Sequence, residues 1–321
     1  MFARIARLPL LVVLLGVTGC LALLPALHAL AFDDHELARA FFYSALVLLL
    51  LAIMLGIATA GFSPRDVSRS QLASLVGSYL LLPFAMLLPL AEAVPDTSLM
   101  NAWFEMTSAL TTTGATVFDP ARLSDTVHLW RATMGWFGGY LILLGAYAIL
   151  APLNLGGFEV ATGRVPGRGT ASTIPRAGEM GPALRLTRLG FRLLPIYVAL
   201  TAVLWLGLLL AGETATTSLI HAMGTLSTSG IAGRSGLGTG EAGLLGEGLV
   251  LLFLIFALSH RALKRLGIGR TEALHRDPEL RLAAALIVTV TLIFGLLHAM
   301  AAIDPDGAPL SGLLSALWGA L

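Results

Sequence analysis

An apolar chain that interrupts itself twice with the same short polar loop has few ways to fold. Leu110 to Val117 reads L-T-T-T-G-A-T-V, and 116 positions further on Leu226 to Ala232 reads L-S-T-S-G-I-A. Thr112 pairs with Thr228 and Gly114 with Gly230. Each loop follows a segment too short and too polar to span a bilayer, Ser98 to Ala109 and Thr214 to Thr225, and each precedes a long apolar run. Non-helical backbone at membrane depth is tolerated only where protein buries it or where it lines a water-filled path. Glycine lets the chain turn its carbonyls toward such a path. Backbone oxygens that replace the water around a dehydrated cation make an ion filter. The competing reading is that Ser, Thr and Gly merely let helices pack closely. Two copies in one hydropathic context favour the filter, because a pore needs repeated loops around an axis.

Composition sets the class. Of 321 residues 56% are hydrophobic and only 12% charged, with a mean hydropathy of +0.85. Such a chain is a polytopic membrane protein and not a soluble domain. The single cysteine, Cys20, excludes an intrachain disulfide and a cysteine-based zinc site. Residues 8–31 form the first apolar run. Val17-Thr18-Gly19-Cys20 is similar to a lipoprotein cleavage box, but the run continues well past Cys20, which suits a spanning helix better than a cleaved leader. Further spans are expected at 37–61, 71–91, about 126–153, about 193–211, about 244–263 and 280–302. The expected fold is an all-α polytopic membrane protein, with about seven transmembrane helices plus re-entrant pore helices. It is organised as two extra N-terminal helices (1–61), a first helix–pore loop–helix repeat (71–153), a loop (154–183), a second repeat (184–263) and the start of a third (264–321).

Charge orients the chain. Arg4 and Arg7, then Arg65 and Arg69, then Arg164, Arg168, Arg176, Arg185 and Arg188, then Arg261, Lys264, Arg265, Arg270 and Arg276 occupy alternate connections. The connections between them carry Asp33, Asp34 and Glu36, then Glu92, Asp96, Asp119 and Asp125, then Asp304 and Asp306. The positive-inside rule puts the N-terminus and the basic loops in the cytoplasm and both polar loops outside. Topology accounts for the basic loops, so they are no sign of nucleic-acid binding.

The stretch F-E-M-T-S-A-L-T-T-T-G-A-T-V-F (Phe104 to Phe118) resembles the first pore loop of the Trk/Ktr/HKT potassium transporters, especially the bacterial TrkH-like pore subunits. W-R-A-T-M-G-W-F-G-G (Trp130 to Gly139), A-I-L-A-P-L-N-L-G-G (Ala148 to Gly157) and H-A-M-G-T-L-S-T-S-G (His221 to Gly230) extend the resemblance. It implies four helix–pore loop–helix repeats around one permeation path in the cell inner membrane, and potassium ion as the substrate with no bound cofactor. It also implies a homodimer embedded in membrane lipid and a cytoplasmic nucleotide-binding regulatory subunit of the TrkA type. Leu314 to Leu321 (L-S-A-L-W-G-A-L) aligns without gaps with Leu219 to Leu226, so relative to the family the chain is expected to stop just before a third filter. A non-conducting fragment or assembly partner is therefore the alternative to a complete pore subunit. Three positions depart from the family. Ile231 stands where Phe often follows the filter glycine of later repeats, and Tyr140 and Tyr147 stand where aliphatic residues are usual.

The candidate cation-binding residues are Thr111, Thr112, Thr113, Gly114 and Ala115 in the first loop, and Ser227, Thr228, Ser229, Gly230 and Ile231 in the second. Carbonyls at Thr112, Thr113 and Gly114, and at Thr228, Ser229 and Gly230, supply oxygen without fixed charge. The short helices end at the loops, so their negative dipole ends are expected to point at the cation. Glu92, Asp96, Asp119 and Asp125 either concentrate cations at the outer mouth or are solvated loop residues. Glu105, inside the first short helix, is either functional or a hydrogen-bonded structural group; its counterpart is His221. His128, His221 and His298 lack metal-ligand spacing. An intramembrane enzyme using Ser108 or Ser229 needs a base within reach. The repeat explains those serines, and no phosphate loop or metalloprotease H-E-x-x-H is present.

Overall fold

The computed structural model describes residues 9–61, 67–146, 182–234, 236, 240–258 and 278–301. Their regular structure is helical throughout. The first apolar run forms two helices, α1 (Leu10–Leu21) and α2 (Leu23–Ala31), rather than one. Pro25 explains the break. It has no N–H to offer the Leu21 carbonyl, and its ring crowds that oxygen. Asp33, at φ 58°, turns the chain, and Asp34 caps α3 (His35–Ala58) by accepting the Leu37 amide at 3.1 Å.

The order long helix, short helix, loop, helix then occurs twice. In the first unit these are α4 (Val67–Ala93), α5 (Leu99–Leu110), loop one and α6 (Asp125–Gly145). In the second they are α7 (Pro182–Leu210), α8 (Ala215–Leu226), loop two and α9 (Gly243–Leu258). A further helix, α10, spans Pro278–Ala301. Both short helices begin one residue later than the sequence suggests, because Ser98 and Thr214 stand outside them as caps; the Ser98 hydroxyl accepts from Asn101 at 3.1 Å. Arg185 and Arg188, expected in a loop, lie instead near the start of α7. Most of the expected connection 154–183, the basic segment after α9 and the sequence beyond 301 lie outside the described residues, as does Tyr147.

Among the described residues, four stretches are long and apolar enough to cross a membrane: Leu10–Ala31, His35–Ala58, Arg69–Ala93 and Arg188–Leu210. Their many exposed large apolar side chains, such as Leu46, Leu50, Ile53, Leu80 and Phe84, are what a lipid-facing surface requires. Helix α6 differs. It has 21 residues, long enough for a bilayer, but carries Asp125, His128 and Arg131, and nearly its whole first five turns are buried in protein. It packs against α5, α7, α8 and the N-terminal α2 and is the internal wall of the bundle.

Trp130 shows how α6 is held. It is fully buried, stands edge-on to Phe41 of α3 with ring centroids 5.7 Å apart, and donates its indole N–H to the Met86 carbonyl of α4 at 3.3 Å. That carbonyl lies in a helix that carries Pro83 and Pro89. His28 of α2 makes a second tie, 2.9 Å from the Thr126 hydroxyl of α6 and 2.9 Å from the Thr216 hydroxyl of α8. The N-terminal helices thus grip both units at once. Trp130→Ala is expected to destabilise the protein by about 3–5 kcal/mol, read as a lower melting temperature in detergent. Trp130→Phe, which keeps most of the ring volume, is expected to cost clearly less.

Candidate functional site

The two loops share one backbone. Thr112 and Thr228 both have φ 55°, Gly114 has φ 74° and Gly230 has φ 63°. A β-branched residue in the left-handed region is strained, by about 1–3 kcal/mol each. The strain is offset by the hydrogen bonds that end the helices. The Thr113 amide reaches back to the Ser108 carbonyl at 2.9 Å and the Thr112 amide to Ala109 at 3.0 Å. In the second unit Ser229 reaches Gly224 at 3.0 Å and Thr228 reaches Thr225 at 3.1 Å. This is a Schellman ending with threonine where glycine is usual. It satisfies the last helical carbonyls and turns the chain out of each helix in the same direction.

The hydroxyls repeat as well. Thr111 donates to the Thr107 carbonyl at 2.8 Å and its oxygen lies 2.8 Å from the Thr113 hydroxyl. Ser227 donates to Met223 at 2.8 Å and lies 2.9 Å from the Ser229 hydroxyl. These four side chains fasten the loops to their helices. The Thr228 hydroxyl likewise turns back to the Ser227 carbonyl at 2.7 Å. Ala115 is more constrained than its neighbours, since its carbonyl accepts the Ser108 hydroxyl at 2.7 Å. At the matching place Gly224 has no side chain, and a Cβ there would lie 2.6 Å from the Ile231 carbonyl oxygen.

The loops meet each other and share α6 as a support. A Cβ on Gly114 would overlap the Ser229 carbonyl oxygen, so the two candidate segments abut. The W-F-G-G stretch of α6 fits between them. A Cβ on Gly138 would overlap the Leu110 carbonyl oxygen, and one on Gly139 would stand 2.7 Å from Ser227 Cβ. Gly135 provides the floor for Ile231, whose Cδ1 would lie 2.9 Å from an added Cβ. Ile231 is 4% exposed and fills that groove. Tyr140, the other departure, donates to the Gly190 carbonyl of α7 at 2.8 Å and packs on Tyr197. On its other side loop one is open. Thr111, Thr113, Ala115 and Thr116 are exposed, as are Thr228 and Gly230 in loop two.

Behind loop one lies a buried polar chain. Glu105, 1% exposed, accepts the Arg131 guanidinium Nε at 2.5 Å through one oxygen. Through the other it accepts the Thr116 hydroxyl at 3.1 Å and the Val117 amide at 3.2 Å. Arg131 also donates to His128 Nδ1 at 3.2 Å, and His128 Nε2 lies 2.9 Å from the Pro120 carbonyl. One neutral tautomer satisfies both, protonated on Nε2. Removing one partner of such a pair strands a buried charge at a cost of about 3–5 kcal/mol. Glu105 is thus hydrogen-bonded from every side, and His128 is part of the same network.

Three of the acidic connection residues, Asp96, Asp119 and Asp125, are engaged. Asp96 pairs with Arg122 at 2.5 Å, Asp125 with Arg234 at 3.4 Å, and Asp119 accepts the Ala121 amide at 3.0 Å. The Arg122 hydrogen bond holds the Asp96 carboxyl below the usual carboxylate range. Arg234, just beyond loop two, also donates to the Leu123 carbonyl at 2.9 Å and so stitches the second unit to the first. Neither Arg131 as the partner of Glu105, nor Arg234, nor His28 is evident from sequence motifs. The available signal was an arginine and a carboxylate, 26 positions apart, in segments otherwise fit for the membrane interior. No group of three or more potential metal ligands occurs among the described residues.

The comparisons fit this geometry. The whole chain superposes on 64% of the crystal structure of the potassium transporter TrkH from Vibrio parahaemolyticus, with a TM-score of 0.71 and 25% identity. In sequence and in fold the chain is similar to the Trk potassium transporters. The Trk system potassium uptake protein TrkI of Halomonas elongata is 32% identical over 212 residues, 64% of this chain and 40% of that protein. The Trk system potassium uptake protein TrkH of Escherichia coli is 28% identical over 304 residues, 91% of this chain and 59% of that protein. The Trk-like chain thus spans less than two thirds of the length of these relatives. No family model matches it.

Loops this alike predict unequal responses to equal changes. Gly230→Ala meets no atom within 4 Å among the described residues and suffers only from its positive φ, about 1–2 kcal/mol. Gly114→Ala adds an overlap with the Ser229 carbonyl. It is expected to lower the melting temperature clearly more than Gly230→Ala, as scanning fluorimetry of the purified variants would record.

Proposed function

We propose that the chain carries pore-forming repeats of a Trk-type system that takes up potassium, and that loops one and two are two of its filter segments. The single observation behind this is the shared left-handed pattern at Thr112 and Gly114 and at Thr228 and Gly230, in loops that abut at Gly114 and Ser229. With the hydroxyls of Thr111, Thr113, Ser227, Thr228 and Ser229 already hydrogen-bonded, the loop carbonyls are the groups proposed to replace a cation's water. The relatives named as Trk system potassium uptake proteins give the substrate class. The chain's own residues bind and orient; no covalent step is involved and the role is that of a transporter, not an enzyme. A homodimer in the inner membrane and a TrkA-type nucleotide-binding regulator belong to this reading, as does a cytoplasmic N-terminus.

A second reading rests on exposure. The outward faces of Thr111, Thr113, Ala115 and Thr116 are bare, and two loops do not surround an ion. Transport then requires further filter segments beside these two, and without them the chain is an assembly partner and not a conductor.

Expression in a host deficient in potassium uptake separates these readings. Restored growth on low potassium, with saturable uptake, supports the first. Insertion without uptake, reversed by co-expressing a chain with further pore repeats, supports the second. Membrane insertion with no uptake under either condition would sink both. The orientation has its own test. An impermeant thiol reagent is expected to label a cysteine at position 119 in intact cells and not one at position 270; the opposite pattern would invert the topology.

A further inference from the structure

We infer that Glu105 and Arg131 form a positioning brace for the first filter segment, and that this brace sets the ion selectivity of the pore. The inference rests on the proposed potassium pathway but is argued from different atoms. Glu105 divides its two oxygens. One meets Arg131 of α6, and the other holds the Thr116 hydroxyl and the Val117 amide of the limb leaving loop one. Along this route the wall helix α6 fixes the distance between α5 and the outgoing limb. The candidate carbonyls of Thr113 and Gly114 lie on the turn between those two supports.

Charge makes the second half of the argument. A bare carboxylate directly behind a ring of carbonyls would raise the field strength of the site, on which cation preference depends. Arg131 cancels that charge in place. It is held there by His128, whose other nitrogen is committed to the Pro120 carbonyl. The brace thus fixes the shape of the limb and keeps the support neutral.

At the matching positions the second unit carries no glutamate–arginine pair. His221 occupies the position matching Glu105, buried, with an Nε2 that has no hydrogen-bond partner. The position matching Arg131 is Glu247. Loop two is secured differently, by the close approach of the Ile231 carbonyl to Gly224 and by the bond from Arg234 to Leu123. The brace therefore makes the first segment the stiff reference of the pair, and its loss is expected to disturb one side of the ion path.

Three variants test this: Glu105→Gln, Arg131→Met and the double variant. In Glu105→Gln the new side-chain amide can still accept the Val117 amide but cannot neutralise Arg131. Amide exchange is followed on the purified chain in nanodiscs, and potassium-to-sodium uptake ratios are measured in the transporting assembly. Arg131→Met is expected to speed exchange at Val117 and to shift the uptake ratio toward sodium by roughly tenfold or more. Glu105→Gln is expected to speed exchange and to lower uptake of both ions. The double variant, which buries no lone charge, is expected to recover most of the wild-type ratio. A role confined to folding would change the amount of inserted protein but not the ratio per inserted molecule. Wild-type ratios and wild-type Val117 exchange in both single variants would overturn the brace. Faster Val117 exchange in the variants of a chain that transports no potassium in any assembly would leave the brace standing and remove the potassium pathway instead.

Discussion

Backbone that leaves a helix inside a membrane must find a partner for each amide and carbonyl, or line a path where an ion or water does so. That demand shapes both loops of this protein. The Schellman bonds take up the helical carbonyls at Ser108 and Ala109, and at Gly224 and Thr225. The hydroxyls of Thr111 and Ser227 take up Thr107 and Met223. Ser108 claims the Ala115 carbonyl and Glu105 claims the Val117 amide. These bonds secure the limbs of each loop and leave the turns between Thr112 and Gly114 and between Thr228 and Gly230 as the stretches proposed to offer carbonyls to a cation.

The strain at Thr112 and Thr228 belongs to the same account. A glycine at either position would relieve the left-handed φ but would lose side-chain restraint in the unfolded chain. Residues of this kind persist only when their surroundings over-determine them. Here the surroundings are the short helix behind, α6 beneath and the opposite loop beside. Helix α6 serves all of these because it gives up side chains where the loops approach. Gly138 admits the end of α5, Gly139 admits Ser227 and Gly135 admits Ile231. A helix that is polar at Arg131 and His128 and notched with glycine at 135, 138 and 139 makes a poor lipid-facing span. Its burial in the bundle follows from its sequence.

Much of this was legible before the structure. The offset of 116 positions located both loops, the short polar helices that precede them and the residues on the turns. The acidic outer residues were read in two ways, and the geometry favours the bland one, because Asp96, Asp119 and Asp125 are committed to arginines or to a capping amide. Other features were hidden for physical reasons. A left-handed threonine leaves no mark in a sequence, because its conformation comes from tertiary support and not from its own preference. The first span reads as one helix by hydropathy; only the stereochemistry of Pro25 against the Leu21 carbonyl divides it. Long-range polar ties such as His28 to Thr126 and Thr216 join residues 98 and 188 positions apart, and no local periodicity announces them.

Sequence equivalence between the two units stops short of structural equivalence, and the difference has a direction. Loop one is supported from behind by a charged network within its own unit, running from Glu105 through Arg131 and His128 to Pro120. Loop two borrows support from its neighbour. Its glycine-lined close approach at Gly224 replaces the serine bond of the first unit, and Arg234 reaches across to Leu123 and Asp125 of the first unit. The polar network behind loop one thus lies within its own unit, while loop two also leans on the first unit through Arg234. The two loops touch where Gly114 meets Ser229. A change at that contact reaches both loops, whereas a change at Gly230, on the open side of loop two, has no such neighbour among the described residues through which to spread.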